Sequence, residues 1–298
     1  MRKYLSGMMI VVALGWHALA FGAEKIPVVA SFSILGDIVS NIGGGRIAVS
    51  TLVGPDQDAH VFEPRPADVA KVSRAKLVVV NGLGFEGWMD RLVKSSGYRG
   101  PLVVASTGLK PRQMAGEDGH GEQIDPHAWQ DPTNVIGYVK NITEALVRLD
   151  PAGEAEYRNN AMKYTVQLQA LDAWARAQYA RFPKEKRRII TSHDAFGYHG
   201  AHYGIEFLAP QGMSTDSEAS ARGVAKLVQQ IRRENIKAVF MENMSNPKLI
   251  TQLARDAGVT LAGRLYPDAL SKSDGPAQNY QVMIRHNVEE IVAALGRN

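Results

Sequence analysis

"DPAGEAEYRNNAMKYTVQLQALDAWARAQYARFP", residues 150–183, decides how the rest of the chain is read. Asp150 can cap a helix, Pro151 suits its first turn, and Pro183 ends it. Between them Tyr164, Leu168, Leu171, Trp174, Ala175 and Phe182 recur at helical spacing, so one face is buried. A helix over 151–181 spans about 46 Å at 1.5 Å per residue. That is long enough to run along two domains. A rod of this kind, unlike a flexible hinge, predicts little closure between the lobes it joins.

Outward from the helix, both flanks carry short apolar β-rich runs alternating with helical patterns. The strand candidates before it are "IPVVASFS" (26–33), "RIAVSTLVG" (46–54), "AKLVVVNG" (75–82) and "PLVVAST" (101–107). After it come "RRIITSH" (187–193), "GIEFLAP" (204–210), "KAVFMEN" (237–243) and "TLAGRLYP" (260–267). Near-continuous apolar strands alternating with helices indicate parallel sheets covered on both faces. The fold class is therefore α/β, with an N-terminal lobe over 21–149, the linking helix over 150–183 and a C-terminal lobe over 184–298.

The first twenty residues, "MRKYLSGMMIVVALGWHALA", begin with Arg2 and Lys3 and continue apolar with no acid. They end in Ala18-Leu19-Ala20, the small-x-small pattern of a signal peptidase site, and a cut after Gly22 fits nearly as well. The apolar core is shorter than the roughly 20 residues a membrane span needs. The chain has no cysteine, hence no lipid-attachment site and no disulfide framework. The expectation is an exported, soluble, monomeric protein in a bacterial periplasm, without a lipid anchor. Losing Arg2 and Lys3 lowers the formal charge from +4 to +2, which is no basic patch, and nucleic acid is not an expected partner.

Of the eight histidines, three fall at strand-to-helix junctions or in the loop before a helix. His60 lies in "GPDQDAHVFEPRPAD", His127 in "DPHAWQDP" and His193 at the end of "RRIITSH". Ligands of open α/β sheets collect at the carboxyl ends of strands, so imidazoles from both halves can converge between the lobes. The residues alone leave packing, acid–base work and metal binding open. Asp268, after the last strand, is a candidate carboxylate at the same edge. Glu63 and Asp131, three or four residues beyond His60 and His127, are candidates to accept the second imidazole N–H. His199, His202 and His286 read as packing residues. The polar stretch "PRQMAGEDGHGEQ" (111–123) reads as a mobile loop that contains Asp118, His120 and Glu122.

"HVFEPRPAD", "DPHAWQDP", "TSHDAFGYHGAHYGIE" and "LYPDALSKSDGPAQNYQVMIRHN" together resemble the metal-binding solute-binding proteins of bacterial ABC importers for zinc and manganese (cluster A-I, or cluster 9). The resemblance covers essentially the whole chain after the leader. It implies two (β/α)4 lobes joined by one long rigid helix, with the metal between them. It makes His60, His127, His193 and Asp268 the ligands, although Pro267 and Ala269 around the aspartate depart from the family's pattern. It further implies an importer permease as partner, with a periplasmic metallochaperone as another candidate, and against the family's histidine-rich loops it leaves Asp118, His120 and Glu122 a role in transient metal capture.

Three imidazoles and one carboxylate suit zinc, whereas carboxylate-rich sites suit manganese. The expected function is capture of one Zn2+ per chain and its delivery to the permease, with manganese or iron as the alternative cargo. A zinc hydrolase, with Glu63 drafted as base, is the rival of another class. Asp268 argues against it, because a filled coordination shell leaves no place for a reactive water.

Overall fold

The computed structural model of the protein describes residues 24–115, 122–216 and 219–297. The leader over 1–20 lies outside them, as do Asp118 and His120. The first half runs β1 (Ile26–Phe32), α1 (Ser33–Gly43), β2 (Ile47–Val53), α2 (Pro66–Arg74), β3 (Leu77–Val80), α3 (Met89–Ser96), β4 (Leu102–Val104), β5 (Gln113–Ala115), β6 (Glu122–Ile124) and α4 (Pro132–Leu149). Next comes α5 (Glu154–Tyr179). The second half runs β7 (Arg188–Ile190), α6 (Gly197–Tyr203), β8 (Glu206–Leu208), α7 (Ala221–Glu234), β9 (Phe240–Glu242), α8 (Lys248–Ala257), β10 (Gly263–Leu265) and α9 (Tyr280–Leu295).

The first sheet is parallel, in the order β2-β1-β3-β4, with Val28 opposite both Val49 and Leu77. All four residues of β3, Leu77 to Val80, are buried, as a strand covered on both faces requires. In the second half β7 pairs with β8 and β9 with β10, both parallel. A bridge between Ile190 and Val239, with the Ile190 N–H on the Ala238 carbonyl at 2.8 Å, sets β7 beside β9. The resulting order, β8-β7-β9-β10, repeats that of the first half. In each half the chain leaves its first strand to one side and returns on the other. Such a reversal opens a crevice at the carboxyl ends of the strands.

Helix α5 buries Tyr157, Tyr164, Leu168, Leu171, Ala175 and Tyr179, and packs on α1 and α4 on one side of the chain and on α6 and α9 on the other. Asp150 does not cap it. A 3-10 turn, Pro151–Gly153, intervenes, and the Asp150 carboxylate accepts Arg46 Nε at 2.7 Å and the Tyr157 hydroxyl at 2.8 Å. The expected loop over 111–123 also differs. Its two ends pair as an antiparallel ribbon, Gln113 opposite Ile124 and Ala115 opposite Glu122.

Candidate metal centre

Each of the four residues singled out by position lies beyond the carboxyl end of a strand. His60 follows β2, His127 follows β6, His193 follows β7, and Asp268 follows β10. One ligand atom from each lies within 4.8 Å of the other three. His60 Nε2 and His127 Nε2 are 3.3 Å apart. Asp268 Oδ2 lies 3.0 Å from His193 Nε2 and 3.4 Å from His60 Nε2, and its Oδ1 lies 3.6 Å from His127 Nε2. His127, His193 and Asp268 are wholly buried, and the His60 side chain is 6% exposed. The 3.0 Å contact lacks hydrogen-bond geometry. His193 Nε2 and both Asp268 oxygens are therefore buried without a hydrogen-bond partner. Buried polar atoms without partners are costly, and a cation at their common centre would satisfy all three.

Carboxylates set the direction of two of these rings. Asp125 Oδ1 accepts the His127 backbone N–H at 3.0 Å and faces its Nδ1 at 2.9 Å. Glu242 Oε1 accepts the backbone N–H groups of Ser192 and His193, while its Oε2 faces His193 Nδ1 at 2.6 Å. A carboxylate on Nδ1 fixes the tautomer and turns Nε2 toward the centre. For His60 the support is on the backbone, where Asp58 Oδ1 accepts its N–H at 2.9 Å. Phe85 packs edge-on against its ring, with centroids 4.9 Å apart.

The "DPHAWQDP" segment also holds Asp268. Trp129 Nε1 and Gln130 Nε2 both donate to the carbonyl of Pro267, at 2.8 and 2.5 Å. Trp129 is fully buried, against Phe32 and Phe85 at centroid distances of 4.8 and 4.7 Å. The prolines bend the chain so that one short segment offers a histidine to the centre and anchors the residue before the aspartate.

Two expected supports are elsewhere. Glu63 is exposed, and no bond joins it to His60. Asp131 caps α4, its Oδ1 accepting Thr133 N at 2.8 Å and Thr133 Oγ1 at 2.7 Å, and its Oδ2 faces His202 Nδ1 at 3.1 Å. An Asp before a proline at a helix start has the backbone N–H groups of the first turn within reach, and they outcompete a distant imidazole. Asp125 holds the place on His127 that Asp131 was expected to fill, and Glu242 supports His193, for which no partner was expected. Asp125 had a signal, standing two residues before His127, whereas Glu242, 49 residues from His193, had none.

Burial pushes the Asp268 carboxyl up, but the His127 and His193 imidazoles more than offset it and hold the group well below the usual carboxylate range. Burial also opposes charge on His193, and Glu242 and Asp268 outweigh it, raising that imidazole well above its ordinary value. His60 goes the other way, lowered by burial that Asp268 only partly offsets. Without metal the centre favours an ionised Asp268 beside a protonated His193, and a cation that takes His193 Nε2 as ligand would displace that proton.

Residues 28–294 match the family described as zinc-uptake complex component A, periplasmic (ZnuA). The manganese-binding lipoprotein MntA of Halalkalibacterium halodurans is 35% identical over 274 residues, covering 92% of this chain and 90% of that protein. The iron-binding protein YfeA of Yersinia pestis is 31% identical over 292 residues, covering 98% and 93%. The manganese ABC transporter substrate-binding lipoprotein PsaA of Streptococcus pneumoniae is 30% identical over 311 residues, covering 100% of both. Among solved structures, the periplasmic zinc binding protein TroA from Treponema pallidum superposes with a TM-score of 0.85 at 31% identity, over 91% of this chain and 99% of that one.

These names correct one expectation. MntA and PsaA are named as lipoproteins, proteins attached to a membrane through lipid. A freely soluble, unanchored placement therefore does not stand. The sequence contains no cysteine, and no helix among the described residues is long and apolar enough to cross a membrane.

Proposed function

The chain belongs to the periplasmic zinc-uptake component A family, metal-binding substrate-binding proteins of ABC importers and not enzymes, and from that membership we propose that its cargo is zinc, held by His60, His127, His193 and Asp268. Such proteins work with a membrane permease and its ATPase. The observation that carries the reading is the convergence of three Nε2 atoms and one carboxylate within 4.8 Å, with buried oxygens that have no other partner. A set of three nitrogens and one oxygen, at ligand distances of about 2.0–2.2 Å, suits four-coordinate zinc. Imidazole-rich sites favour zinc over manganese, which prefers oxygen. In this reading residues 21–149 and 184–298 are the two jaws, 150–183 is the rod between them, and the permease releases the metal by parting the jaws.

The relatives' names favour a second reading. MntA is named for manganese and YfeA for iron, so a manganese or iron cargo is the competing outcome. The test is anaerobic competition of zinc against manganese and ferrous iron on demetallated protein, with native mass spectrometry for stoichiometry. One zinc per chain, bound at least a hundredfold more tightly than manganese, supports zinc. Preference for manganese or iron overturns the choice of metal and leaves the site intact. In the same titration His193→Ala is expected to lose zinc affinity by orders of magnitude, and an unchanged titration would remove His193 from the ligand set.

A further inference from the structure

Three of the four residues at the centre are wholly buried, and His60 lines a cavity. That cavity, of about 810 Å³, is walled by Leu83, Phe85, Ile124, Pro126 and Met213 beside the His60 ring. The segment carrying His60, "GPDQDAH" (54–60), is held by its own half, where Trp88 Nε1 donates to the Ala59 carbonyl at 2.9 Å, and is also bonded to the opposite half. Asp56, at a positive φ of 55°, donates its N–H to the Leu270 carbonyl at 2.9 Å and accepts Asn243 Nδ2 at 2.9 Å. Asp58 divides its carboxylate. Oδ1 accepts the His60 N–H at 2.9 Å, and Oδ2 accepts the Thr215 hydroxyl at 2.6 Å.

Thr215 belongs to the segment that runs beside His193. Gln211 bridges His193, Gln211 N donates to the Ser192 carbonyl, and Asp194 N donates to the Gly212 carbonyl at 3.0 Å. Asp58 and Thr215 also line a second cavity, of about 540 Å³, with Val61, Met244 and Lys248. Their bond thus lies between the space at His60 and this second space. It joins the one ligand facing an opening to the strand segment that positions another.

We propose that Asp58 is a positioning residue for metal binding: by holding the His60 backbone with one oxygen and Thr215 with the other, it keeps His60 in ligating position only while the two halves are joined. The proposal rests on His60 being a ligand. His60 is then the ligand that leaves first when the halves part, and breaking the Asp58–Thr215 bond mimics that parting. The consequence is kinetic, a faster loss of metal with little change in its capture.

The test is stopped-flow zinc release from the full chain into excess chromophoric chelator, with zinc association measured separately. Asp58→Ala and Thr215→Val are each expected to speed release about tenfold or more, the scale of losses when a ligand's support is removed. Association should change less than threefold. Thr215→Ser keeps the hydroxyl and should release at the wild-type rate. Asp58→Asn can still accept from His60 N–H and can donate to Thr215 Oγ1, so it should restore slow release, which a purely charge-based role would not. The double variant should be no faster than Asp58→Ala alone, since Asp58→Ala already removes the bond that Thr215→Val takes away. Wild-type release from Thr215→Val overturns the proposal, even where Asp58→Ala fails to fold. His60→Ala separates the two levels: unchanged zinc affinity there refutes the ligand reading itself, whatever Asp58 does.

Discussion

The Glu242 carboxylate takes both the backbone N–H and the ring Nδ1 of His193, at 3.0 and 2.6 Å. Asp125 does the same to His127, at 3.0 and 2.9 Å. The two halves arrive at one device by different routes. In the first the carboxylate comes from two residues upstream in the same bend, and in the second from the neighbouring parallel strand. A carboxylate that grips the main chain and the ring together leaves a histidine one orientation, with Nε2 toward the centre.

Glu242→Gln tests the device. All four groups that face this carboxylate, Ser192 N, His193 N, His193 Nδ1 and Ser245 Oγ, are in position to donate to it. An amide would turn an N–H₂ against some of them, release the ring and remove the charge. Zinc affinity should fall about 10- to 100-fold, measured by chelator competition at fixed pH. Affinity within twofold of wild type would show that His193 needs no such support.

How far the sequence carried the reading depended on the range of the interaction. The run "AKLVVVNG" contains β3 at Leu77–Val80, because an apolar run with no period marks a strand covered on both faces. The run "RRIITSH" keeps only Arg188–Ile190 as strand. Beyond it the pairing is reduced to a single bridge between His193 and Gln211, as Ser192 and His193 give their N–H groups to Glu242. The four residues at the centre were legible because strand ends are local features. The partner of His193 was not, since Glu242 is 49 residues away and no periodicity links them. Asp131 was misread for the opposite reason: its cap on Thr133 is local, and a longer-range role was assigned to it.

Asp131 and Glu63 should therefore fail as metal supports, each in its own way. Asp131→Ala removes the α4 cap and is expected to cost about 1 kcal/mol of folding stability, read by urea unfolding, with zinc affinity unchanged. Glu63→Ala, on an exposed residue, should change stability by less than about 0.5 kcal/mol and leave affinity untouched. A tenfold loss of zinc affinity in either would return that residue to the site.

Metal should act as part of the fold, because its ligands come from both halves. At free zinc a hundredfold above its dissociation constant, linkage gives about 2.7 kcal/mol of stabilisation. In a chain of this size that raises the melting temperature by roughly 5–10 °C. Calorimetry with and without chelator measures it. His193→Ala and Asp268→Ala should each abolish the shift, and an Asp268 variant that kept all of it would show that the carboxylate does not close the coordination shell.

His199 contributes a pH dependence of its own to the metal-free protein. Its Nδ1–H donates to the Gln130 carbonyl at 3.1 Å, which leaves Nε2 to accept the Tyr179 hydroxyl at 2.9 Å. Burial, against which the Gln130 bond works only in part, pushes this imidazole down to about 4. The unfolded chain binds the proton at an ordinary value of about 6.5, so the folded state holds fewer protons between these limits. The stabilisation is fully present above pH 6.5 and is lost as pH falls toward 4. A shift of this size corresponds to about 3 kcal/mol, at 1.36 kcal/mol per pKa unit. Urea unfolding of demetallated wild type and His199→Gln at pH 7.5, 6.0 and 5.0 isolates it, since the other titrating groups cancel in the difference. The wild type should lose its advantage over the variant steadily across that range. A difference that stays constant from pH 7.5 to 5.0 would mean that His199 takes up its proton over the same pH range folded and unfolded, and that Tyr179 and Gln130 do not hold it neutral.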